Sequence, residues 1–214
     1  MPSERTLQNT RGGFLARVRL ALRRAKLGII TIALTYGVSV GVGLLLVHLG
    51  NHLALEIRDR VVGTAWRESA ITQQFRRGNA WTAAAMDAAG NAGAALTTAV
   101  AGYCPPAAYA LAAYRGWIGG VVSVDDAHRS RLATQHEAFY YLVTVLLQLV
   151  PSCLVAGAGV NLGYTAFLSE KRTGYDGPRV PGLRIPFEAI GDAGWLCLIA
   201  LPLFAIASCF EFLM

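Results

Sequence analysis

From Leu27 to Gly50 the chain reads LGIITIALTYGVSVGVGLLLVHLG, a stretch without Asp, Glu, Lys or Arg. A helix needs about 20 apolar residues to cross about 30 Å of hydrocarbon, so this stretch is expected to span a membrane. The rest of the chain agrees: 54% of its 214 residues are hydrophobic and 15% are charged, against about 25% charged in a soluble domain. Four further apolar segments follow: Ala80 to Tyr103, Pro105 to Val124, Glu137 to Gly163 and Ala189 to Met214. The second and third are separated only by Cys104-Pro105-Pro106, where proline removes an N–H and turns the preceding residue away from helical geometry. The expected fold is an all-α integral membrane protein. A single transmembrane domain over 27–214 forms a bundle of five helices at 27–50, 80–103, 105–124, 137–163 and 189–214, preceded by a basic segment at 1–26.

That basic segment contains GFLARVRLALRRAK, Gly13 to Lys26, with Phe14, Val18 and Leu22 at helical spacing and arginines around them. It reads as a basic amphipathic helix suited to an anionic cytoplasmic leaflet, or as an ordinary positive flank that sets orientation. The apolar run after it is too long for a signal peptide and lacks a small-residue cleavage site, so it is expected to remain as a membrane helix. Residues 1–26 and 164–188 together hold eleven Lys and Arg, and the connections on the opposite side hold seven. The excess places the N terminus in the cytoplasm. The 51–78 connection has Leu53 and Ile57 one helical turn apart and reads as one helix, lying along the membrane or extending the first span. The 164–188 connection, rich in Gly and Pro, reads as an irregular loop that offers a docking surface.

Chemical motifs are sparse. On a continuous helix His48, His52 and Glu56 would share a face, as a metal site requires, but a polar stripe at a membrane exit has the same pattern. Cys104, Cys153, Cys197 and Cys209 form no CxxC pair and sit in apolar surroundings as small hydrophobes. The phosphate-loop, HExxH and GxSxG patterns do not occur. The expectation is no enzyme, no cofactor, no metal and no nucleic acid.

Small and polar residues within the spans say more. Gly37 and Gly41, Gly116 and Gly120, and Gly159 and Gly163 are three small-xxx-small pairs, which let helix backbones approach closely within one chain or between chains. Asp87, Asn91, Arg115 and Gln148 fall at comparable depths and are expected to form an intramembrane polar belt. Because a charge at depth is costly, such residues face protein or a water-filled cavity. A structural tie and a solute or proton path both fit.

The order of these features resembles the stage II sporulation protein M family of five-span membrane proteins. Asn79 before the second span is followed by Arg115-Gly116-Trp117-Ile118-Gly119-Gly120, similar to a family NGxxxG motif with Arg115 in place of asparagine. Ala156, Gly157, Gly159 and Gly163 match a glycine pattern in the fourth span, although Thr144 and Gln148 stand where the family has His and Glu. Glu211 matches a glutamate near the end of the last span. The resemblance implies a non-enzymatic scaffold or auxiliary subunit of a bacterial cytoplasmic (inner) membrane. It would contact membrane lipid and bind membrane or cell-envelope proteins, or further copies of itself, in cell-envelope remodelling. The alternative reading is a permease or channel-like component with a polar site around Arg115.

Overall fold

The computed structural model describes residues 13–167, 174, 175 and 177–213; most of the 1–26 segment before Gly13 and the expected final residue Met214 lie outside this range. The chain forms α1 (Phe14–His48), α2 (His52–Ile57), a π-helical turn (Arg58–Gly63), α3 (Thr64–Glu68), α4 (Ala70–Arg76), α5 (Ala80–Ala101), α6 (Pro105–Val121), α7 (Gln135–Phe167) and α8 (Phe187–Leu213). Among the described residues β-structure is confined to two isolated bridges, Val124 with Ser130 and Arg179 with Pro186.

The expected five spans correspond to α1, α5, α6, α7 and α8, but only three of these, α1, α7 and α8, are long and apolar enough to cross a membrane. The five-span expectation is corrected on physical grounds. Helix α6 has 17 residues and reaches about 26 Å at 1.5 Å per residue, short of the hydrocarbon thickness. Helix α5 has 22 residues, but alanine and glycine supply much of its length and Asp87 and Asn91 interrupt it. Both helices pack along the three longer ones.

Helix α1 is continuous from the basic segment into the first span, with no break at 26/27. Its N-terminal part lies against α8: Phe14 meets the Trp195 ring edge-on at 5.5 Å, Arg17 sits over that ring, and Arg24 pairs with Asp192 (3.2 Å) and Glu188 (3.3 Å). Tyr175, from the 164–188 loop, is fully buried under Arg24; its hydroxyl donates to Asp192 at 2.9 Å and accepts from Asn161. Burial, reinforced by the Asp192 carboxylate, pushes the Tyr175 phenol up, so it stays a hydrogen-bond donor. This part of the loop, expected to be a docking surface, is folded back onto α7 and α8.

The 51–78 segment is several short helices where one was expected. Gly50 adopts a φ of +69°, which glycine reaches without steric cost, and Asn51 then caps α2 by accepting from the Ala54 N–H. Ser69 starts α4 in the same way at Thr72. The break at Gly50 separates His48 from the other two residues of the His48, His52, Glu56 pattern. His48 bonds Ser130 at 2.8 Å, whereas His52 lies 3.8 Å from Glu56.

Lipid tails are as apolar as leucine, so helices in a bilayer associate through close packing. A Cβ on Gly28 would lie 2.5 Å from the Gly157 carbonyl oxygen, and one on Gly116 2.5 Å from that of Tyr36. Gly120 faces Val40 and Gly43, Gly159 faces Ala99, and Gly163 faces Gly102. Two of the three expected glycine pairs thus pack within the chain. A Cβ on Gly37 or Gly41 would meet no packed neighbour within 4 Å among the described residues; Gly43 takes the contact with α6. Gly159→Val is expected to lower the unfolding free energy by about 1–3 kcal/mol, and Gly37→Val to change it by no more than about 0.5 kcal/mol. Thermal unfolding in detergent checks this, and equal effects would contradict it.

Candidate functional site

Helices α5 and α6 meet at the Cys104-Pro105-Pro106 turn, where Pro105 and Pro106 occupy the first helical positions and their missing N–H groups cost nothing. Away from that turn the two touch little, because α6 packs chiefly on α1 and α5 on α7 and α8. The wedge between them is a cavity of about 480 Å³. Asn91 enters it from α5, Arg115 from α6, Gln148 and Ser152 from α7, and Tyr36 from α1. Beyond Arg115 the space narrows to about 10 Å³ among Ile32, Ala95, Ala112 and Ala156. That is room for about a single water, so the cavity is blind toward the proline turn.

Toward the other end it continues past Val62 and Val122 into a space of about 330 Å³ bounded by Arg58, Asp126, Arg131 and Glu211. This space shares Asp125, Arg131 and Glu211 with an outer cavity of about 830 Å³ that has Phe75, Tyr140, Tyr141 and Phe212 on its wall. Through these shared lining residues the three spaces adjoin one another and mark a route from the outer end of the bundle toward Arg115.

The groups along the route are of two kinds. At the mouth Asp125 and Asp126 are paired with arginines. Arg58, buried although charged, holds Asp126 at 2.6 Å and donates to the Val124 carbonyl, and its hydrogen bond keeps the Asp126 carboxyl below the usual range. Asp125 is lowered as well, chiefly by the Arg129 backbone N–H. Deeper in, charge lacks a counterion. Asp87 accepts from Ser208 (2.7 Å) and from Asn91 (2.9 Å). Glu211 accepts from Gln148 Nε2 at 2.6 Å, and its backbone carbonyl accepts from Tyr140. Among the described residues no cation lies within ion-pair distance of Asp87 or Glu211, and no carboxylate within that distance of Arg115.

Asp87 and Asn91 of the expected belt are therefore joined, Gln148 is tied to Glu211, and Arg115 shares a cavity with Asn91 and Gln148 without bonding either. Of the family-motif residues, Arg115 and Glu211 line the route, while Gly116, Gly120 and Gly163 serve packing. Asn79 stands at the exposed start of α5 and bonds Gln74. The sequence reading missed Tyr36, Ser152, Ser208 and Arg131. Ser208 and Glu211 are three residues apart on α8, a helical-face signal; Tyr36, Ser152 and Arg131 carry no local signal. Among the described residues no cluster of His, Cys, Asp and Glu has the arrangement of a metal site, and the four cysteines are unpaired.

No family model matches the chain, and no curated protein or solved structure is similar to it. The resemblance to the sporulation protein M family rests on its motif residues.

Because Arg115 makes no internal pair, Arg115→Met is expected to leave thermal stability unchanged or raise it. Gln148→Met, which strips the half-buried Glu211 carboxylate of its donor, is expected to cost about 1–3 kcal/mol. Unfolding of the two variants side by side tests the assignment; a large loss in the Arg115 variant would contradict it.

Proposed function

We propose that this chain binds a small anionic solute in the cavity at Arg115, as the binding component of a permease- or channel-like system. The observation behind this reading is a half-buried guanidinium that faces a largely apolar cavity in a membrane-type bundle, with no carboxylate within ion-pair distance among the described residues. A charge at such depth costs about 2.5–3.5 kcal/mol on insertion scales, and an internal ion pair is the common way to offset it. Here the offset is left to a ligand. Around Arg115 the Tyr36 hydroxyl and the second N–H of Asn91 and of Gln148 offer donors, while the Ser152 hydroxyl donates to the Gln148 carbonyl and offers its oxygen as an acceptor. The volume, about 480 Å³, falls in the range of about 300–1,000 Å³ typical of small-molecule sites.

In this reading α1, α7 and α8 cross the membrane and shield the shorter α5 and α6. The Lys and Arg distribution puts the N terminus in the cytoplasm and the mouth of the route outside, in a bacterial inner membrane. The blind end at Ile32 and Ala112 makes this a loading state, so passage requires a second conformation. Titration calorimetry of the detergent-solubilised protein with chloride, nitrate, sulfate and methanesulfonate is expected to show binding of at least one of them. Arg115→Gln is expected to weaken that binding by about tenfold or more, the worth of a charge-assisted hydrogen bond. Binding that survives the substitution, or no binding of any of the four, would overturn the reading.

A second reading rests on Gly37 and Gly41, the glycine pair the fold leaves open, exposed on α1 beside Val38 and Val42. It is the non-enzymatic scaffold or auxiliary subunit that the family resemblance implies, with α1 as the face for a partner helix. A tagged chain purified in mild detergent is expected to carry a stoichiometric membrane protein and to lose it in Gly37→Ile. Retention of the same protein by the variant would sink this reading.

A further inference from the structure

The outer spaces carry charges of both signs, Arg58, Arg129 and Arg131 with Asp125, Asp126, Glu137 and Glu211, whereas Arg115 is the charged residue lining the inner cavity. Glu211 lines both outer spaces, and its one side-chain partner, Gln148, lines the inner one. The Glu211–Gln148 hydrogen bond therefore stands between the outer spaces and the cavity in which an anion would sit at Arg115. An ionised Glu211 repels that anion, and Asp87, close enough to act electrostatically on Glu211, adds to the repulsion.

The groups facing Glu211 come from several elements: Asp87 from α5, Tyr140 and Tyr141 from α7, Arg58 from the π-helical turn, and Asp125 and Arg131 from the loop before α7. Asp125 and Asp126 are ionised partners of Arg129 and Arg58. Glu137 takes the Thr134 hydroxyl at the start of α7, and His136 stands exposed on the rim. Among the described residues Glu211 bonds through its side chain to neutral Gln148, with Arg131 acting on it only at longer range, so it is the group a proton would relieve.

We infer that Glu211 is the proton-coupling residue of the anion site: a proton from water in the outer cavity converts the Glu211 carboxylate to the carboxylic acid as each anion passes to Arg115. The inference rests on the anion-site reading above. Protonation removes the negative charge at the threshold, and the neutral acid can still accept from Gln148. Anion and proton then enter together, and the pair adds no net charge to the bundle.

The full chain in detergent tests this with chloride, nitrate, sulfate and methanesulfonate, whose charges stay fixed across the pH range used. In weakly buffered solution with an indicator dye, anion addition is expected to take up protons. Affinity should tighten by about tenfold per pH unit of acidification above the apparent pKa of Glu211, the slope for a single linked proton. Glu211→Gln should bind at the low-pH affinity throughout without proton uptake, whereas His136→Gln should behave as the unaltered chain. Should Glu211→Gln not fold, infrared difference spectra of the unaltered protein serve instead, with a protonated-carboxyl band expected to grow as anion is added. Anion binding that ignores pH and takes up no proton, or a silent carboxyl region, overturns the coupling. If binding in that case is still lost in Arg115→Gln, the anion site itself stands. Absence of binding at every pH removes both.

Discussion

Backbone-to-backbone contact at glycine is the constraint on which the other features depend. Where lipid supplies no hydrophobic drive, two helices hold together by the atoms they bring within dispersion range. Gly116 and Gly120 bring α6 onto α1, Gly28 and Gly157 bring α1 onto α7, and Gly159 and Gly163 seat the α5 end of the proline turn against α7. These attachments pull the two short helices toward different partners. The wedge that opens between them is the cavity in which Arg115 lies.

Charge is distributed with the same logic. Where it serves the architecture it is paired: Arg24 with Asp192 and Glu188 at one end of the bundle, Arg58 with Asp126 at the other. Each such cluster joins segments far apart in the chain, and each guanidinium gains hydrogen bonds that offset its desolvation. Along the route inside the bundle the pattern reverses. Asp87 and Glu211 hold only neutral donors, and Arg115 holds a cavity. Among the described residues these three are thus without a counterion within ion-pair distance, in contrast to the charges that join segments of the fold.

Several of these features are legible in the residues themselves. The membrane class follows from segments such as Leu27 to Gly50, the hairpin from Pro105-Pro106, and the Asp87–Asn91 bond from an i, i+4 spacing that any helix brings together. Helix limits fall near those expected, except that α1 extends back to Phe14 because nothing in the basic segment breaks a helix. Other features are not legible. Gly37 and Gly41 have the pattern of a packing pair and pack on nothing, whereas Gly43, outside the pattern, meets Gly120. The 51–78 segment has helical periodicity, yet Gly50, Asn51 and Ser69 divide it through turn and cap geometry that competes with the apolar stripe.

Sequence by itself determined what kind of medium this protein occupies and which residues are out of place in it. Apolar length and charge content are additive along the chain and need no knowledge of neighbours. Tertiary structure alone decided the partners: that Gln148 belongs to Glu211, that Ser208 belongs to Asp87, and that Arg115, among the described residues, faces a cavity. The physical reason is that a helix rotates about its axis until its small residues meet another backbone. That rotation, set by sterics between distant segments, chooses which polar side chains face one another and which face a cavity.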